Sequence, residues 1–578
     1  MDRTQTELST QSDIIFRRRW LILAVMVICL LVVILDNTIL NVALKTIQSD
    51  LDASQSAMQW AVDSYAVVFA GLLILWGVTG DRIGRKRTLV IGMVLFGVTS
   101  ALCSTADSST ELIVYRALMG IGAAAVQPQT LSIIQNVFEP DERPKAIGIW
   151  AAASGIAIAL GPITGGALLE FFWWGSVFLV NVPIVIVGVA LIFVLVPESK
   201  DPHPGKIDPF GVLLSIVALV VLVFGIIEGG NTNDWTQWRS LGAIVLGLAL
   251  LTLFVVLERR SSHPTIDVTL FKNRQFSAGT ISIALVFFSL MGATFYLAYY
   301  LQAIRGYTPL AAGVALIAVA AGVMISASQA AKLSDRFGAR YVAGSGLTIF
   351  ALSMLSYGLV GETTPQWIVE VQMFALGSGM GLTMTPATNA IMGAVPRDKA
   401  GAGSAVNNTV RQVAGALGVA VLGSLLAVAF RADLGAGTPD AVASSLDQPS
   451  SIVSQLPTEA RVTPLVGADA SESIGGALEF AARSVEALQT RAALPQAAQI
   501  PAAVLADQKA TAEASLTGFV ADAKDAFVHG MHVSSVAAAG SAFLGAIAAF
   551  TLLPGRLRFE DDPKESDQGA SPAAVESP

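Results

Sequence analysis

The feature that most constrains this chain is a recurrence. Stretches of some twenty apolar residues, separated by short polar runs, follow one another from Trp20 to Phe430 and return once at Ser535–Leu553. A helix of that length rises about 1.5 Å per residue and crosses the roughly 30 Å hydrocarbon layer of a bilayer. Backbone polar groups find no water there, so such a chain must satisfy them within helices. Only 13% of the residues are charged, about half the share of a soluble domain. An all-α membrane protein is therefore predicted. About fourteen spans can be counted, starting near Trp20, Met58, Thr88, Glu111, Pro144, Gly175, Asp208, Ser240, Phe276, Pro309, Tyr341, Trp367, Ala402 and Ser535. The apolar stretch after Arg17-Arg18-Arg19 is too long for a signal-peptide core and reads as an uncleaved first span.

Basic residues fall on one side of this stack. Arg17–Arg19, Arg82–Arg87, Arg143/Lys145, Lys200/Lys206, Arg259–Arg274, Lys332–Arg340, Arg397/Lys399 and Arg556/Arg558 occupy alternate loops. The opposite short loops hold little beyond Lys45, Arg239 and Arg305. By the positive-inside rule the basic side is cytoplasmic, with both termini inside. An even number of spans requires the same outcome.

An internal repeat divides the chain. The loop after the second span reads Gly80-Asp81-Arg82-Ile83-Gly84-Arg85-Lys86-Arg87, and the loop after the tenth reads Ser334-Asp335-Arg336-Phe337-Gly338-Ala339-Arg340. These loops are eight spans apart, whereas a duplicated six-helix unit would put them six apart. Two extra helices at roughly Asp208–Leu257 account for the difference. The predicted arrangement is 14 helices as 6+2+6, with the halves related as parallel repeats. It assigns 1–19 to a cytoplasmic tail, 20–200 to a six-helix bundle and 201–260 to the inserted pair. Residues 261–430 then hold helices nine to thirteen, 431–533 an extracytoplasmic loop, 534–555 the last helix, and 556–578 a disordered cytoplasmic tail. Inside the long loop, Ile474, Leu478, Ala481, Val485 and Leu488 follow helical spacing, as do Leu516, Phe519, Ala523 and Phe527. Pro495 and Pro501 lie between them. Two amphipathic helices forming a hairpin are expected, with a solvated, disordered loop as the alternative.

Charges within the spans carry the chemistry. Asp36 follows Val32-Val33-Ile34-Leu35 and precedes Asn37-Thr38-Ile39-Leu40. An ionised Asp near a helix centre costs roughly 2.5–3.5 kcal/mol on insertion scales, so such a residue normally faces a cavity and binds something. Capping of a helix break through Asn37 and Thr38 is the plainer possibility. Asp63, in Trp60-Ala61-Val62-Asp63-Ser64-Tyr65, lies near the start of the antiparallel second span. It is either a helix cap or the second acid of a vestibule shared with Asp36, where paired carboxylates favour proton uptake. A bound cation would expel that proton, which is antiport at one site. Arg116, in Leu112-Ile113-Val114-Tyr115-Arg116-Ala117-Leu118-Met119-Gly120, needs a carboxylate or several carbonyls. Arg411, preceded by Asn407 and Asn408, is a weaker counterpart.

Span five carries Gly155-Ile156-Ala157-Ile158-Ala159-Leu160-Gly161-Pro162-Ile163-Thr164-Gly165-Gly166. Pro162 removes a backbone donor, and the glycines admit a close neighbour, as a bendable seal requires. Trp60, Phe295, Tyr296, Tyr299, Met373, Met380 and Met384 either line a pocket for an apolar cation or face lipid. Cys29 and Cys103 both sit in apolar stretches, which argues against a disulfide scaffold or a metal site. His529-x-x-His532 is a weak metal-binding pattern, and no metal is assigned. No P-loop is present, which argues against ATP coupling.

Together these strings resemble the major facilitator superfamily, in its fourteen-span drug:proton antiporter branch (the EmrB/QacA group). Gly77-x-x-Gly80-Asp81-Arg82-x-Gly84-Arg85-Lys86-Arg87 resembles the family's cytoplasmic loop signature, associated with conformational switching. The Arg116 string resembles the span-four signature linked to proton transfer. The span-five string resembles the motif of exporters, and Leu35 to Leu44 the span-one signature of the fourteen-span branch. Lys45 and Thr79 depart from the usual Pro and larger apolar residue. The resemblance implies a major facilitator fold and a multidrug efflux transporter in a bacterial inner membrane. It would exchange lipophilic, cationic drugs or antiseptics for protons through Asp36, Asp63 and Arg116. The transporter would be a monomer rather than an enzyme, driven by the proton gradient without a cofactor or a nucleic-acid partner. A dedicated exporter of one metabolite, lipid, peptide or self-made antibiotic is the alternative, and a non-transporting sensor or scaffold the second.

Overall fold

The computed structural model describes residues 3–139, 142–200, 208–261, 268–395, 400–435, 438–446, 474–493 and 502–555. It is helical throughout, with no strand among the described residues. The first helices are α1 (Arg3–Asp50), α2 (Gln55–Ile83), α3 (Arg85–Cys103), α4 (Ser109–Val137) and α5 (Arg143–Phe171). The short α6 (Ser176–Leu179) runs almost directly into α7 (Asn181–Leu195), followed by α8 (Pro209–Thr232) and α9 (Trp238–Arg260). Then come α10 (Arg274–Tyr299), α11 (Pro309–Ala315), α12 (Ile317–Phe337), α13 (Ala339–Ser356), α14 (Gln366–Gly393) and α15 (Ala400–Leu434). The chain continues with α16 (Thr438–Leu446), α17 (Ile474–Ala493) and α18 (Ala502–Leu552). Among the described residues, eleven helices are long and apolar enough to cross a membrane, or twelve counting the bent α2. Val194, Leu213, Leu544 and Ile186 are each at least 60% exposed. Apolar surface left open on this scale faces lipid rather than water.

Packing repeats along the chain. In the first part α4 packs on α2 and α3, α1 packs on α4, α5 and α7, and α3 packs on α7. In the last part α14 packs on α12 and α13, α10 on α14, α15 and α18, and α13 on α18. Each first-part pairing therefore has a counterpart. Helices α8 and α9 pack on each other, and α8 also packs on α2 and α15.

The segment 431–533 differs from expectation. α15 extends to Leu434, and the stretch Leu516–Phe527 is not a separate arm. It belongs to α18, one helix of 51 residues that continues into the last apolar stretch. No proline interrupts 502–552, and alanine is frequent there, which favours a continuous helix. α17 packs on it through a face turned from the expected one: Phe480 lies edge-on to Phe519 at 5.4 Å, while Val485 is 42% exposed. The expected N-terminal tail is likewise the first part of α1. The tail 556–578 and the basic residues Lys206, Arg397, Lys399, Arg556 and Arg558 lie outside the described residues.

Candidate functional site

Five segments converge on Arg116. α4 begins with Ser108 as its cap, whose hydroxyl accepts from the Glu111 N–H at 3.3 Å while Glu111 accepts from the Asp107 N–H at 3.0 Å. About two turns further on, Arg116 is wholly buried. Its Nη1 donates to Asp36 Oδ2 of α1 at 2.6 Å, and its Nε donates to the Ala61 carbonyl of α2 at 3.1 Å. The guanidinium lies 4.4 Å from the ring centre of Tyr65, also on α2, a cation–π distance. The second Asp36 oxygen accepts from Asn181 Nδ2 at 2.9 Å, at the start of α7. Asn181 also donates to Ser100 Oγ of α3 at 3.1 Å, and Ser100 donates to the Phe178 carbonyl of α6 at 2.7 Å. Both carboxylate oxygens are thus engaged, whereas Arg116 Nη2, Asn181 Oδ1 and the Tyr65 hydroxyl have no partner among the described residues. A buried pair of this kind tolerates loss of one charge poorly.

Asp63 is fully buried, and neither of its carboxylate oxygens has a hydrogen-bond partner among the described residues. It does not join the Asp36 cluster. Ala61 and Tyr65, four residues apart, share the α2 face that meets Arg116, and Asp63 between them projects to the opposite side. Ala66 and Val67 on that side pack against Leu219, Val223 and Ile227 of α8 and Ala416 and Ala420 of α15. Asp36 and Arg116 are brought together, whereas helical periodicity turns Asp63 toward the side of α2 that packs on α8 and α15.

The loop signature is a tight corner. Gly84, at φ +118°, both ends α2 and begins α3, a conformation suited to glycine. A Cβ there would lie 2.7 Å from the Glu198 carboxyl carbon. Arg85 donates to Asp81 at 2.9 Å, and its N–H donates to the Ser199 carbonyl at 2.9 Å. Lys86 donates from Nζ to the Phe193 carbonyl at 3.0 Å. Gly80 faces Gln129, and Gly77 faces Pro128, where α2 crosses α4. Arg82 lies at the helix end in the last turn of α2. Gly338, at φ +93°, turns the second corner in the same way, against Gly555.

The glycines of α5 serve two neighbours. Gly161 and Gly165 face Thr38 and Ile39 of α1, while Gly166 faces Pro309 and Leu310 of α11. Gly313 of α11 in turn meets the Pro162 carbonyl. Gly155 belongs to α5, but its surroundings lie outside what is described. At this end of the bundle Lys45 Nζ donates to the Gln302 carbonyl at 3.2 Å, and Gln302 Nε2 donates to the Val42 carbonyl at 2.8 Å.

The remaining candidates disperse. Phe295, Tyr296, Tyr299, Met373 and Met380 are buried in the helix core, and Tyr296 hydrogen-bonds Ser535 at 2.8 Å. Trp60 and Met384 are half-buried. His529 meets Asp433 at 2.5 Å and His532 the Val360 carbonyl at 2.7 Å, so the rings tie α18 to neighbouring segments. The sequence reading does not include Asn181, Ser100 or Tyr65 as site residues. Asn181 is an isolated amide in the apolar run Val177–Leu195 beside Pro183, and that is the one signal of its place.

Residues 26–419 match the family described as the Major Facilitator Superfamily. The chain is 34% identical over 507 residues to the multidrug efflux pump LfrA of Mycolicibacterium smegmatis, covering 87% of this chain and 96% of that protein. It is 34% identical over 418 residues to the methyl viologen resistance protein SmvA of Salmonella typhimurium, covering 72% and 84%. Among solved structures, a bacterial homologue of the human lysosomal transporter Spinster, in an inward-facing and unoccupied conformation, aligns with TM-score 0.54. That alignment covers 92% of this chain and 97% of that one at 17% identity, which establishes likeness of fold.

Proposed function

The chain belongs to the major facilitator superfamily, and from that membership we propose that it is a proton-coupled antiporter exporting lipophilic, cationic compounds across the bacterial inner membrane. The observation that carries this reading is the enclosed Asp36–Arg116 pair, gripped by Ala61, Tyr65 and Asn181. A proton on Asp36 removes the counter-charge of Arg116, so protonation and the ion pair exclude each other. Rearrangement of the helices that carry them must accompany the exchange. Asp63 supplies a second carboxylate with no competing donor among the described residues, suited to a proton or to a substrate cation. The name of one relative, for resistance to the dication methyl viologen, favours cationic cargo.

The energetics suffice. One proton moving inward gains about 2.3 kcal/mol per 100 mV, which the exit of a monovalent cation cancels, so a one-for-one exchange runs on the pH difference, and each pH unit, about 1.4 kcal/mol, sustains a tenfold gradient. In this reading the chain has fourteen spans arranged 6+2+6, supported by the repeated packing and the paired Gly84 and Gly338 corners. The basic loops and both termini are cytoplasmic, α17 and the start of α18 form an extracytoplasmic pair, and the monomer needs no cofactor.

The test is dye efflux into inverted vesicles energised by a pH gradient. Asp36→Asn is expected to abolish gradient-driven transport, and Asp63→Asn to reduce it at least tenfold for a cationic dye such as ethidium. Full transport by both variants would refute carboxylate exchange. Export of one metabolite but of no cationic dye by the wild type would favour a dedicated exporter.

A further inference from the structure

We propose that Arg411 anchors a carboxylate on the transported compound, so that the preferred cargo is an amphiphile carrying an acid beside its cation. Resting on the exporter reading above, the proposal narrows its substrate class. Arg411 lies about three turns into α15 and is half-buried among α10, α14 and α15. Among the described residues it has no ion pair. Its one hydrogen bond runs from Nη2 to Thr388 Oγ1 of α14, at a long 3.3 Å, and its Nε has no acceptor. The Phe287 ring of α10 stands 5.5 Å from the guanidinium carbon.

No acid on these three helices can answer it. α10 has none, and Glu370 of α14 and Asp433 of α15 lie at the far ends of their helices. Arg116 shows the contrast, because its charge is met by Asp36 at 2.6 Å. A guanidinium carries five N–H donors and stays protonated, and within a bilayer such a charge faces a cavity and takes a counter-charge. Asn407, one turn earlier on the same face and only 6% exposed, has an Oδ1 without a partner among the described residues, an acceptor that suits the cargo's cation rather than its acid. Two guanidinium nitrogens gripping the two oxygens of a carboxylate meet this demand, with Phe287 beside the ligand's flat apolar body.

Tetramethylrhodamine, which has a free carboxylate, and its methyl ester share one cationic ring system and make the test. Binding of each dye to the purified protein is read by fluorescence polarisation without any gradient. Failure of vesicle transport therefore leaves this result standing, and the converse also holds. The wild type is expected to prefer the free acid. Arg411→Gln should weaken the acid about tenfold and leave the ester within twofold, and Arg411→Lys should lose at least threefold of the preference. Equal affinity of the wild type for both dyes, no binding of either, or equal loss of both in Arg411→Gln would overturn the proposal. Should the Gln variant not purify as a monodisperse protein, an unchanged preference in Arg411→Lys would overturn it as well.

Discussion

Removing Arg116 leaves the Asp36 carboxylate enclosed with one amide donor, Asn181, to meet its charge. Breaking a buried pair from one side costs roughly 3–5 kcal/mol, whereas replacing both members is much less damaging. Arg116→Met is therefore expected to lower the melting temperature in detergent sharply. The double variant Asp36→Asn/Arg116→Met should recover most of that loss, because neither member of the pair is then left as an uncompensated charge. Equal melting of the single and double variants would show that the guanidinium acts through its packing on Tyr65. At this scale the sequence is a partial guide. Asp36 and Arg116 stand out because charge in a span is costly. Asn181 and Ser100 are neutral, cost little and therefore leave almost no trace. The direction of Asp63 follows from helical geometry once Ala61 and Tyr65 are known to meet Arg116, and that contact exists only in three dimensions.

Helices in this protein meet where side chains are missing. Gly166 lets α5 lie against α11, and Gly313 does the same from the other side. A Cβ on Gly166 would fall 2.6 Å from Leu310 Cα, and one on Gly313 would fall 2.7 Å from the Pro162 carbonyl carbon. These obstacles are backbone atoms, so a rotamer change cannot relieve them. Gly166→Leu and Gly313→Leu are each expected to hold α5 and α11 apart. A cysteine placed at Leu310 should then react faster with a bulky maleimide added from the Lys45 end, and gradient-driven efflux should fall at least tenfold. An unchanged labelling rate would mean that this contact is not the seal. Helix positions are largely legible in the apolar pattern, and the Gly-Pro string announces a close contact without naming the partner. In α18 the Leu516–Phe527 spacing announces a helix, while the polar run through His529 and His532 masks its continuity with the last span. Its lack of proline and its alanine content were the better guide to a helix that runs on into the last span.

On the scale of the whole molecule, its two ends are built differently. At the Lys45 end, contacts join the first part of the chain to the last. They comprise Lys45 and Val42 with Gln302, α5 with α11, and Gln59 of α2 beside Gly423 of α15. Gln302 lies in a π-helical turn, Tyr300–Ile304, whose widened geometry turns a carbonyl toward Lys45. At the Asp81 end, each corner instead finds partners within its own part: Arg85 and Lys86 with Phe193–Ser199, and Gly338 with Gly555. A transporter that opens its two ends in turn must break the Lys45 contacts once per cycle. A short bismaleimide joining Lys45→Cys to Gln302→Cys should therefore stop gradient-driven efflux, while each single variant keeps most of it. The native thiols of Cys29 and Cys103 are buried and should not compete for the reagent. Dye binding to the cross-linked protein should persist, since the bridge leaves the Asp81 end free to open. Full transport by the cross-linked protein would mean that the Lys45 end does not part during the cycle, and the alternation of ends would have to be abandoned.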